Sequence, residues 1–208
     1  MQQLPGKMPQ PEPENRCPNC LYMKLEDILV QAKQKDLHLT IIFNEQWEPF
    51  LNGRIKFGLK GGELKLRLEN GDIPEESRNL TGLLELSVES ETGEIKNFPV
   101  PLCEITTNGS MTTPAWVFRL KNFAAVLKGS IESERLGTLN LVKQPCSVEA
   151  TFEVLLRDVH LIDIEGLYAE NIDLIDVNKQ SITKRLIEQY LLKSKFQPYL
   201  SRMELQYG

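Results

Sequence analysis

The chain has no apolar run of membrane-spanning length, only two histidines, only four cysteines and no excess of positive charge. A membrane helix needs about 18–20 consecutive apolar residues, so a helical span is excluded on pattern. The opening residues, MQQLPGKMPQPEPENR, carry no signal-like apolar stretch, and a cytoplasmic location is the expectation. A formal charge of −5 disfavours nucleic acid as a partner, because no protein-wide positive field is present to gather phosphates. Asn79-Leu80-Thr81 and Asn108-Gly109-Ser110 match the glycosylation acceptor pattern, which has no meaning in that compartment.

Catalytic signatures are also missing. His38 and His160 are isolated, each flanked by apolar residues in an alternating run, so both imidazoles are expected on the exposed face of a strand. No serine or cysteine nucleophile motif accompanies them. The acidic series Asp158, Asp163, Glu165, Glu170, Asp173 and Asp176 lacks the spacing of a calcium loop and reads as a solvent face. A non-enzymatic protein is the expectation.

What is present is an ordinary globular composition, 41% hydrophobic and 25% charged over 208 residues. That suits one domain with a real core. Residues 1–16 hold four of the twelve prolines and little to pack, so they read as a disordered tail, leaving residues 17–208 as a single domain. Leu21, Leu25, Ile28, Leu29 and Ala32 fall at helical spacing and predict an N-terminal amphipathic helix.

Beyond it the period changes to two. DLHLTIIF, ELKLRLEN and LLELSVES alternate as half-buried strands do, and further strands are expected at 95–100, 116–120, 124–131, 138–142 and 147–164. Leu155-Leu156 breaks the phase of the last run and predicts a bulge or bend. Gly- and Asn-bearing turns at Lys60-Gly61-Gly62, Asn70-Gly71-Asp72-Ile73-Pro74, Glu91-Thr92-Gly93 and Asn108-Gly109-Ser110 separate the runs. The reading is mainly β, an antiparallel sandwich or barrel of roughly eight to ten strands, α+β being the alternative. A C-terminal helix follows, capped by Asn178 or Ser181, with Ile182, Leu186, Ile187, Tyr190 and Leu191 as its apolar face.

The sharpest local feature is Cys17-Pro18-Asn19-Cys20 just before the expected first helix. At a helix start the dipole and free N–H groups would favour a thiolate. The segment from Cys17 to Phe43 resembles the CxxC, helix and strand of thioredoxin-like and glutaredoxin-like proteins, and that resemblance implies a redox dithiol. It covers this segment alone, since the rest of the chain lacks alternating β and α elements. The same two thiols are candidate zinc ligands, Cys17 and Cys20 forming one knuckle, with the other half supplied by folding or by a second chain. Cys103 and Cys146 lie in strand patterns and read as small apolar side chains.

The C-terminal part is basic against an acidic whole, and its end is aromatic. Lys184, Arg185, Phe196 and Tyr199 are the candidate contact residues for another protein. Three functions stay open: a protein-binding module, a zinc- or thiol-dependent role at Cys17 and Cys20, and a carrier with an apolar ligand between Leu-lined strands.

Overall fold

A computed structural model describes residues 13–86, 102–122, 124–167 and 177–208. They form fourteen strands in three antiparallel sheets, more than the eight to ten expected. The largest sheet runs β1 (Glu14–Asn15), β14 (Ser201–Tyr207), β12 (Cys146–Glu153), β6 (Gly61–Glu69), β10 (Pro114–Leu120), β9 (Leu102–Gly109) and β8 (Gly82–Glu85). The second runs β2 (Leu21–Gln31), β3 (Gln34–Phe43), β11 (Gly129–Leu141) and β7 (Gly71–Asp72). The third is β13 (Val159–Glu165), β5 (Gly53–Leu59) and β4 (Gln46–Phe50). None closes into a barrel.

The expected N-terminal helix is absent; Leu21–Gln31 is strand β2, hairpinned to β3 through Ala32-Lys33. Spacings of four occur in both periods, so Leu21 and Leu25 satisfy either pattern, and Met23 is the residue that decides. Leu21, Met23 and Leu25 are buried while Tyr22, Lys24 and Glu26 face out. A helix would also need Ile28 and Leu29 inside, and both are exposed. Burying the three inward side chains contributes about 1.5–3 kcal/mol each, more than local helix propensity can oppose. Their partner strand supplies Leu37, Leu39, Ile41 and Phe43, all fully buried.

The first two sheets meet across an aromatic cluster. Phe43 of β3 lies 6.0 Å from Phe118 of β10 and 5.9 Å from Phe152 of β12, centroid to centroid. Trp116 is fully buried beside them, and its indole N–H donates to the Asn79 carbonyl at 2.8 Å, so no polar atom is stranded. Gly62 is required here: a Cβ would come within 2.3 Å of the Phe152 ring.

The other runs resolve unevenly. DLHLTIIF and ELKLRLEN lie in β3 and β6, and LLELSVES begins as β8, its remainder lying outside the described residues. The strand expected at 95–100 and the turn Glu91-Thr92-Gly93 also lie outside them. Residues 129–131 and 138–142 belong largely to the single long strand β11, whereas the described part of 124–128 is loop. The phase break at Leu155-Leu156 is an interruption: β12 ends, one 3₁₀ turn (Leu156–Asp158) intervenes, and β13 starts in another sheet. The Leu155 N–H donates to Asp158 Oδ2 at 2.8 Å, which fixes that corner.

The C-terminal helix is present as α1 (Val177–Leu191), so Asn178 and Ser181 lie inside it rather than at its cap. A wider π-type turn (Leu192–Phe196) continues it. Of the expected tail, residues 1–12 lie outside the described residues, whereas Glu14 and Asn15 pair with Arg202 and Ser201 of β14.

Candidate functional site

Cys17 and Cys20 sit in the short connection between β1 and β2. Pro18 presets the backbone for a turn, and the Cys20 N–H closes it on the Cys17 carbonyl at 3.0 Å. Both ends are pinned. The Cys17 N–H donates to Asn15 Oδ1 (2.9 Å), the Asn15 amide to the Leu21 carbonyl (2.7 Å), and the Asn44 N–H to the Cys20 carbonyl (3.0 Å). Pro18 and Asn19 face solvent, while both cysteines are buried.

The turn brings the two thiols close together, and Cys17 donates its S–H to Gln46 Oε1 at 3.0 Å. The Gln46 amide then donates to Glu48 Oε2 at 3.2 Å, and Lys195 pairs with the other oxygen of Glu48. This chain of contacts links the turn, β4 and the π-type turn after α1. Its electrostatics separate the thiols: the neighbouring Cys20 thiol lowers the Cys17 pKa against the opposing effect of burial, with Lys195 assisting. That same interaction, together with burial, pushes Cys20 well up. The asymmetry expected from a helix dipole therefore arises from a neighbouring thiol and a lysine, because no helix follows the motif.

Cys103 and Cys146 do not join the pair. Both are buried in the core, where desolvation pushes the Cys103 thiol up to about 12 and also raises Cys146. Among the described residues no group of three or more Cys, His, Asp or Glu side chains is placed to hold a metal. His38 is half-buried, and its Nδ1–H donates to the Ser133 carbonyl at 2.9 Å. His160 is half-buried near Lys184 and Lys60.

The acidic series is dispersed. Asp158 caps the 3₁₀ corner, Asp163 Oδ1 accepts from the Ile164 N–H at 2.8 Å, and Glu165 pairs with Arg54 at 2.6 Å. Glu170, Asp173 and Asp176 lie outside the described residues.

The four contact candidates part company. Lys184 and Arg185 lie on α1, Arg185 exposed. Phe196 is fully buried, its ring 5.8 Å from Phe57, so it belongs to the core. Tyr199 donates its hydroxyl to Glu14 at 2.7 Å and lies under the Arg16 guanidinium at 5.0 Å, holding the N-terminal strand in place.

On α1 the apolar residues split into two columns four apart. Ile187 and Leu191 are buried, whereas Ile182, Leu186 and Tyr190 are 60, 60 and 51% exposed. The Tyr190 ring meets Phe50 edge-on at 5.2 Å, and the next residue, Leu51, is 84% exposed at the tip of the β4–β5 hairpin. Leu51 holds a φ of 51°, a left-handed conformation unfavourable for a branched side chain. Phe50 and Leu51 carried no signal as contact residues, since Phe50-Leu51-Asn52-Gly53 reads only as a turn.

A different surface carries the hollows on the largest sheet. Two neighbouring ones, of about 400 and 250 Å³, lie on the outward faces of β6, β10 and β12, lined by Glu63, Lys65, Asn108 and Glu153 among others. Lys65 reaches Glu153 at 2.6 Å and Glu63 at 3.6 Å, so the two carboxylates share one ammonium. No helix among the described residues is long and apolar enough to cross a membrane. The sequence matches no protein-family model and no curated protein sequence.

Proposed function

We propose that the protein is a non-enzymatic binding module, a sandwich-like β scaffold that docks another protein through α1 and the adjoining β4–β5 tip. The observation that carries this reading is the exposed column Ile182, Leu186 and Tyr190, in contact through Phe50 with the tip that presents Leu51. Contiguous exposed apolar side chains on a folded domain mark contact surfaces more often than scattered ones do. An aromatic among them suits the centre of such a contact. Arg185 and Lys193 are exposed on the same helical segment, so the fitting partner is a protein with an apolar groove and an acidic rim.

The test places a photo-crosslinking residue at position 185 of the full chain and identifies what it captures in cells. Leu51→Asp and Leu186→Asp are made in parallel and checked by circular dichroism for an unchanged fold. A discrete partner, or a second copy of the chain, captured by the parent and lost in both variants supports the reading. Capture that is unaffected by either charge, or no discrete adduct at all, overturns it.

A further inference from the structure

The turn that holds Cys17 and Cys20 is suited to a covalent change that leaves the fold intact. A turn closed between its first and fourth residues holds their Cα atoms within about 7 Å, and a disulfide spans about 4.4–6.8 Å between Cα atoms. The Cys20 N–H closes this turn on the Cys17 carbonyl at 3.0 Å, and the turn is pinned on both sides by hydrogen bonds that involve neither sulfur. Cys103 and Cys146 are buried elsewhere in the core and do not compete. The half-buried Gln46 side chain, bound only to Cys17 and Glu48 in the described structure, lies against the Cys17 sulfur.

We infer that Cys17 and Cys20 form a reversible disulfide site that exchanges with a low-molecular-weight disulfide of the glutathione class, Cys17 attacking first and Cys20 resolving. Cys17, as thiolate, attacks one sulfur of the oxidised glutathione and forms a mixed disulfide while one glutathione thiolate departs. Cys20 then gives up its proton and attacks the Cys17 sulfur, forming the intramolecular bond and releasing the second glutathione. Two thiols lose two electrons and two protons, and one disulfide is reduced to two thiols. The order of attack follows the separation of the two thiols, the more acidic one being the better initial nucleophile.

Oxidation also removes the S–H that Cys17 donates to Gln46, the first link of the chain through Glu48 to Lys195. The inference does not depend on what binds α1, so either reading can fail without the other.

The experiment uses the full chain in glutathione buffers of rising oxidised fraction, quenched by alkylation and read by peptide mass mapping. The peptide with Cys17 and Cys20 is expected to lose two hydrogens and to regain them when reduced glutathione is restored. Cys20→Ser is expected to trap a glutathione adduct on Cys17, and Gln46→Ala to oxidise several-fold faster because its amide no longer shields the sulfur. Two results overturn the inference: a native pair that stays as two thiols at every buffer ratio, or Cys17 bridged to Cys103 or Cys146 instead of Cys20.

Discussion

His160 shows how one residue in an alternating strand acquires a property that its sequence context does not announce. Val159 and Leu161 point into the core, as alternation predicts, but the imidazole between them is half-buried rather than freely exposed. Burial, then the ammonium groups of Lys184 on α1 and Lys60 after β5, lowers its pKa from 6.5 to about 4. Between those values the unfolded chain binds a proton on this side chain and the folded chain does not. Stability contributed by the neutral imidazole is thus present above about 6.5 and lost as pH falls towards 4. Urea midpoints measured across this window should fall less steeply with acid in His160→Gln than in the parent. An equal slope in both would show that the imidazole is solvated. Cys17 and Cys20 are the opposite case, since their spacing was legible and only their burial, Gln46 and Lys195 had to come from folding. Those last two residues are 29 and 178 positions from Cys17, a separation no local pattern spans.

At the scale of the element, strands with one buried face were readable wherever the alternation was unbroken, as in β3, β6 and β12. Segment 21–31 was not, because its inward set stops at Leu25 and three consecutive apolar residues, Ile28, Leu29 and Val30, follow on the exposed part of the hairpin. A helix count absorbs such a run more easily than an alternation does. The two assignments predict different sensitivities. As a strand, Met23→Ala should cost about 2–5 kcal/mol, the usual loss for emptying a core position, whereas Leu29→Ala should stay within about 0.5 kcal/mol. A helix buried through Leu25, Ile28 and Leu29 would reverse that order. Chemical denaturation of the two variants decides it. The C-terminal helix was legible in type, but only Ile187 and Leu191 of its apolar face are buried, because which column meets β13 depends on the sheet beneath.

At the scale of the molecule, three sheets raise the question whether the smallest is a separate unit. Three strand pairs carry the chain across the boundary, the first being β3 into β4 through Asn44-Glu45. β5 passes into β6 through Lys60 alone, and β12 passes into β13 through the Leu156–Asp158 turn. The last two crossings are bonded to each other and to the adjoining segments: the Lys60 N–H donates to the Asp158 carbonyl at 2.7 Å, the Leu120 N–H to the Lys60 carbonyl at 2.8 Å, and the Leu127 N–H to the Leu59 carbonyl at 2.7 Å. The buried side chains of all three sheets belong to one hydrophobic cluster, which Phe57 and Phe196 extend to the end of α1. Strand order of this kind was hidden in the sequence, because neighbours such as β12 and β6 lie some eighty residues apart in the chain. A small sheet spliced into a larger one in this way should not unfold by itself. The two tryptophans test this directly, since Trp47 lies in the small sheet under the Arg54 guanidinium and Trp116 is buried in the large one. Fluorescence of Trp47→Phe and of Trp116→Phe, each followed through urea together with circular dichroism, should trace one transition within each variant, the retained tryptophan and the backbone signal sharing a midpoint. A Trp47 signal lost at lower urea than the strand signal of the same Trp116→Phe sample would make the small sheet an independent unit. The face formed by α1 and the β4–β5 tip would then rest on the weaker part of the molecule.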